Sequence, residues 1–116
     1  MLQHVTLEVR PDQVRDCVAF WKLLGFREIE PPPLLRDRFT WVQREGTQIH
    51  LVPVDEPGVP TEGHTAVVAP DDEAIARLEA HGFQPREGSN AWNAPRWFVH
   101  DPAGHRVEVM SAPPPS

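Results

Sequence analysis

The chain opens on an alternation. In QHVTLEV, residues 3–9, Val5, Leu7 and Val9 fall on one side and His4, Thr6 and Glu8 on the other, which predicts a half-buried strand with His4 on its polar face. The period then lengthens. Pro11 and Asp12 suit a helix start, Val14, Cys17 or Val18, Trp21 and Leu24 form an apolar stripe at helical spacing, and Gly25 ends the run. Strands are predicted at 27–30, 39–43 and 47–52, the last two joined by a turn at Arg44-Glu45-Gly46. In the last strand Ile49 and Leu51 face one way and His50 the other.

The second half repeats this order. A strand at 64–69 precedes a helix from about Asp71 to His81 with Ile75 and Leu78 inward. Strands follow near 84–87, 96–100 and 105–110, with a turn at Asp101-Pro102-Ala103-Gly104. QHVTLEV matches GHTAVVA of residues 63–69 at an offset of 60, and LLGF ending at Phe26 matches AHGF ending at Phe83 at an offset of 57. FTWVQREGTQIHLV, 39–52, lies over WFVHDPAGHRVEVM, 97–110, at an offset of 58. This predicts one α+β domain of two βαβββ modules, at about 2–53 and 63–111, with a turn-rich linker at about 54–62 and a disordered tail at 112–116. Neither module has enough elements to bury its own sheet, so the two pair within one chain or between two.

Composition narrows the chemistry. The 40% hydrophobic and 24% charged content is that of a soluble globular domain, and no run reaches membrane-spanning length or begins as a signal sequence, so a cytoplasmic protein is expected. A net charge of −6 argues against nucleic acid or anionic lipid as partner and leaves a small molecule. The single cysteine, Cys17, excludes an intrachain disulfide and a cysteine-rich zinc module, so any metal would rely on histidine and carboxylate.

Such residues fall where the repeat superposes. His4 aligns with His64 and His50 with Glu108, so two positions of the unit carry a metal-competent side chain in both copies. All four are expected opposite the helix-packing face, on the concave side of the sheets. Three imidazoles and a carboxylate suit one divalent cation, Zn, Ni, Fe, Co or Mn, acting as a Lewis acid on a bound small molecule. Glu108 or His50 is the expected proton acceptor. Trp41, Trp92, Trp97 and Phe39 are expected walls of the cavity, with Arg96 or Arg38 as an anchor for an anionic group; Trp41, Trp92 and Arg96 are the principal substrate-binding candidates. The loop GSNAWNAP, 88–95, is the expected substrate-facing segment. His81 is read as a solvated helix-end residue, and His100 and His105 as loop residues beside the 101–104 turn.

FVHDPAGHRVEV, the GHTAVV strand and the FWKLLGF helix end resemble the vicinal-oxygen-chelate superfamily, which includes glyoxalase I, extradiol dioxygenases, fosfomycin-resistance and bleomycin-resistance proteins. The resemblance covers residues 2–111. It implies a glyoxalase-like fold, a lyase, isomerase or dioxygenase type of activity, His4, His50, His64 and Glu108 as ligands, and a homodimer. Where glyoxalase I-like enzymes have glutamate, this chain has His50. A dioxygenase-like site would use His4, His64 and Glu108 with Fe(II) and leave His50 behind them. Fosfomycin-resistance relatives share those three positions but add tyrosine and basic residues, whereas this chain has no tyrosine and one lysine, Lys22. A metal-free, bleomycin-resistance-like binding protein is the alternative.

Overall fold

The computed structural model describes residues 1–116. They divide into two compact units, Met1–Val59 and Pro60–Ser116. The first contains β1 (His4–Val9), a short 3-10 turn (Pro11–Gln13), α1 (Val14–Leu23), β2 (Arg27–Ile29), β3 (Thr40–Arg44) and β4 (Thr47–Pro53). The second contains β5 (Thr65–Val68), α2 (Ala74–Ala80), β6 (Arg86–Glu87), β7 (Arg96–His100) and β8 (Arg106–Met110). Each is the expected βαβββ unit. The sheet orders are β1-β4-β3-β2 and β5-β8-β7-β6, so in both units the first strand lies parallel to the last and the other pairings are antiparallel.

The alternation of β1 and β4 sorts their side chains by face. Val9, Val42, Ile49 and Leu51 are buried together with Cys17, Val18, Phe20, Trp21 and Leu24 of the α1 segment, leaving His4, Thr6, Trp41 and His50 on the opposite face. In the second unit Val99, Val107 and Val109 are buried, as are Ala74 and Leu78 of α2, while Glu108 points the other way. Both helices end alike. Gly25 and Gly82 each take φ 89°, and the following Phe26 and Phe83 amides return to Trp21 and Leu78 carbonyls at 3.1 Å. That left-handed position after the helix is the reason for glycine in LLGF and AHGF.

Some boundaries move. β5 begins at Thr65, one residue after His64. α2 begins at Ala74 because Asp71 Oδ1 accepts the Glu73 amide (2.9 Å), holding residues 71–73 in a turn. The hairpins also differ. Arg44 pairs with Thr47 across Glu45 (φ 50°) and Gly46 (φ 82°), a two-residue type I′ turn, whereas the Asp101 amide meets the His105 carbonyl across three residues, 102–104. The extra residue shifts the repeat. His50 and Glu108 keep their offset of 58, but their neighbours Trp41 and Phe98 are related by 57. Phe39 therefore corresponds to Arg96, not to Trp97 as a constant offset implies.

Candidate functional site

In the first unit His50 lies beside Thr6 of β1 and Trp41 of β3. Cross-strand neighbours on one face stand close enough for rings to meet. The His50 imidazole is stacked between His4 (centroids 4.0 Å, planes 14° apart) and Trp41 (4.0 Å, 4°). Residues two apart on a strand share a face, so Gln48 stands beside His50, and its Oε1 lies 2.7 Å from His50 Nε2. Gln48 in turn donates to Gln43 Oε1 (2.8 Å), while Gln3 Oε1 contacts His4 Nδ1. His50 is 7% exposed, and burial, with His4 alongside, pushes its pKa down to about 4. At neutral pH it is an uncharged imidazole. The row of rings borders a hollow of about 550 Å³ whose other walls include Leu35, Phe39 and Thr6.

The second unit places a different pair in the same register. Ala66 of β5 lies beside Glu108 of β8, as Thr6 does beside His50, and His64 precedes Ala66 by two residues, as His4 precedes Thr6. His64 Nε2 is 3.0 Å from Glu108 Oε1, and its Nδ1 is 2.9 Å from the Glu62 carbonyl. The other carboxylate oxygen accepts from Arg96 Nη1 at 3.3 Å. Glu108 is 5% exposed, so its contacts with His64 and with the Arg96 guanidinium are made by a poorly hydrated carboxylate. Phe98 lies below: His64 meets it edge-on at 5.5 Å, and the Arg106 guanidinium covers it at 4.0 Å.

The ligand candidates thus come two by two, His4 with His50 and His64 with Glu108, and no three His, Cys, Asp or Glu side chains form one cluster. Trp41 and Phe39 line the hollow of the first unit. Trp92 and Arg96 belong to the second, where Trp92 Nε1 donates to the Ala112 carbonyl (3.2 Å) and the Arg96 guanidinium lies 5.0 Å from the Trp92 ring. Arg38 is over Phe39 at 5.3 Å. His81 is exposed and its Nδ1 meets the Arg77 carbonyl at the helix end, as expected. His105 is a loop residue but a buried one, next to Asp101, whose Oδ1 accepts the Ala103 and His105 amides.

Leu35, Gln48 and Arg106 were not singled out by sequence. For Gln48 the signal was available, since it precedes His50 by two. Leu35 sits among prolines and arginines in 31–38, where no period places a side chain.

Comparison with known proteins follows the same lines. The glyoxalase-like domain family matches residues 4–110. A glyoxalase family protein from Bacillus anthracis has a similar fold, with TM-score 0.83, 24% identity, and coverage of 95% of this chain and 93% of the other. A lactoylglutathione lyase from Agrobacterium tumefaciens gives 0.71 at 19% identity, covering 95% and 92%. A variant of the fosfomycin resistance protein from Listeria monocytogenes, solved with Mn(II) and 1S,2S-dihydroxypropylphosphonic acid, gives 0.75 at 20% identity, covering 97% and 90%. No protein of curated function matches the sequence.

Proposed function

This chain belongs to the glyoxalase-like domain family, and from that premise we propose that it is a divalent-cation-dependent enzyme acting on a small molecule with neighbouring oxygen atoms. The observation behind this reading is the repeated placement: each unit sets two metal-competent side chains on corresponding positions of its first and last strands, His4 with His50 and His64 with Glu108. The donor set fits the ion. Three imidazoles and one carboxylate suit Zn, Ni, Fe, Co or Mn, and an imidazole held unprotonated, as His50 is, offers its lone pair across the neutral range. The similarity to a fold solved with Mn(II) adds support.

When bound, the cation would act as a Lewis acid on the oxygens of the substrate. The residues do the remainder. Gln48 holds His50 through Nε2, and the Glu62 carbonyl holds His64 through Nδ1, so each ring has one nitrogen fixed and the other directed by that contact. Glu108, through its carboxylate, and His50, through the lone pair that it keeps at neutral pH, are the two side chains placed to accept and return a proton. Trp41, Phe39 and Leu35 offer an apolar wall to the carbon skeleton, in a hollow whose size suits a small ligand.

A metal-free binding protein is the second reading, and two observations favour it. Parallel stacked imidazoles send their in-plane lone pairs side by side instead of toward a common point, and Arg96 already neutralises Glu108. Metal analysis after loading with Co(II) or Mn(II) decides between the two. The enzyme reading expects about one ion per site, a chelator-sensitive melting temperature, and loss of the ion in a folded His64→Ala variant. No bound metal after loading, or full retention by His64→Ala, overturns it.

A further inference from the structure

Arg96 is the one cation in contact with a candidate ligand, and its other bonds are unusual. Nε donates to the Ser89 carbonyl (3.0 Å) and Nη2 to the Ser89 hydroxyl (2.8 Å), while Nη1 reaches Glu108 Oε2. The guanidinium lies between two aromatic neighbours, 5.0 Å from Trp92 and 5.2 Å from Phe98, and the side chain is 17% exposed. One planar, permanently charged group therefore joins the loop 88–95 to the buried carboxylate, with its fork of donors shared between them. The loop is also held near its start. A Cβ on Gly88 would stand 2.9 Å from Phe98 Cε2, so the backbone there rests directly on the ring that underlies His64 and Arg96.

Two cations cannot share this carboxylate cheaply. A divalent ion on Glu108 would stand within a few ångströms of the Arg96 charge, in surroundings that screen it poorly. We propose that Arg96 is a built-in competitor for Glu108: it occupies the carboxylate in the cation-free protein and ties it to the 88–95 loop through Ser89, so that a divalent cation displaces Arg96 and shifts the loop. This rests on the cation-dependent reading above and adds a positioning residue to it. Ligand binding and loop position become linked, and each must report the other.

The test is Zn(II) affinity, measured by competition with a chromophoric chelator, together with tryptophan fluorescence. Arg96→Met removes the competitor and should bind Zn(II) about tenfold more tightly than the unaltered protein, the equivalent of one charged hydrogen bond. Arg96→Lys, which keeps the charge, should restore the weaker affinity. Ser89→Ala cuts part of the tether, should tighten binding by a smaller factor, and serves if Arg96→Met does not fold. Zn(II) should change the fluorescence of the unaltered protein, and the Trp92 part of that change, read as the difference between the unaltered protein and Trp92→Phe, should be lost in Arg96→Met, while any Trp41 part, from the ring stacked on His50, stays. If the unaltered protein binds Zn(II) and Arg96→Met, or Ser89→Ala in its place, binds it equally or less well, the competitor proposal falls while the cation reading stands. If neither the unaltered protein nor the variants bind Zn(II), the competitor proposal falls, and the cation reading falls with it when Co(II) and Mn(II) loading also leaves no bound metal.

Discussion

The two units share topology, register and helix ends, yet their open faces differ in kind. Position by position, His4 corresponds to His64, His50 to Glu108, Trp41 to Phe98 and Phe39 to Arg96. Two of the four exchange a ring for a charge. In the first unit the result is a column of stacked rings beside a hollow; in the second it is a His–Glu–Arg network around a buried carboxylate. The backbone fixes where the four side chains stand, and the neighbour across the sheet decides what each can do. His50, buried and stacked beside His4 and Trp41, is held uncharged at neutral pH. Glu108 is tied at one oxygen to His64 and at the other to Arg96.

The interiors differ as well, and the largest expected effects lie there. The first unit has the bulkier interior, with Trp21, Phe20 and Leu24 all at 0% exposure, against Leu78 as the largest fully buried side chain of the second. Trp21→Ala should cost about 4 kcal/mol of unfolding free energy and Leu78→Ala about 3 kcal/mol, since a deleted side chain costs its transfer energy plus the cavity left behind. Denaturant unfolding of the two variants measures both. A Leu78→Ala loss well above that of Trp21→Ala would show that side-chain volume is the wrong measure of what each interior contributes.

The two units should also differ in their response to acid. The folded pKa of His50 is about 4 against an unfolded value near 6.5, so the folded protein resists protonation that the unfolded chain accepts. Stability from this residue is complete above the unfolded value and falls as the pH drops from there toward 4. In the cation-free protein the loss should be about 2 kcal/mol by pH 5. His50→Gln, which cannot titrate, should flatten that part of the stability profile. Asp101 of the second unit runs the other way. Burial raises its pKa, so its ionised form is disfavoured in the fold and its contribution favours the folded state at low pH, weakening as the pH rises above the ordinary carboxylate value. Asp101→Asn should remove that opposing trend. Chemical denaturation at several pH values checks both signs, and a profile unchanged by His50→Gln would break the contrast.

Much of this was legible in the sequence, because it follows from periods. The alternation in β1, β4 and β8 placed His4, His50 and Glu108 opposite Val9, Ile49 and Val107, and the repeat aligned His4 with His64. Pairings across strands were not legible in the same way. Register depends on hairpin length, and one additional residue at 102–104 moved Arg96 into the position of Phe39. The bonds of Arg96 to Glu108 and Ser89 depend on strand neighbours and a loop that no period describes. Similarly, the Trp41–His50 stack joins residues whose separate alternations give no hint of contact.

The smallest effects separate two reasons for glycine. Gly46 in the first hairpin has φ 82° with open space where a Cβ would sit, so Gly46→Ala should cost about 1 kcal/mol through backbone conformation alone. Gly88 of the second unit has no such φ, but its added methyl would meet Phe98 at 2.9 Å. Phe98 can move only by disturbing the ring contacts of Arg96, Arg106 and His64. Gly88→Ala should therefore change the environment of Trp92, visible in its fluorescence, at a comparable cost in stability, whereas Gly46→Ala should lower stability and leave all four tryptophans as they were. If the Gly88→Ala emission spectrum matches that of the unaltered protein, the loop is not resting on Phe98 closely enough to carry the difference between the two faces.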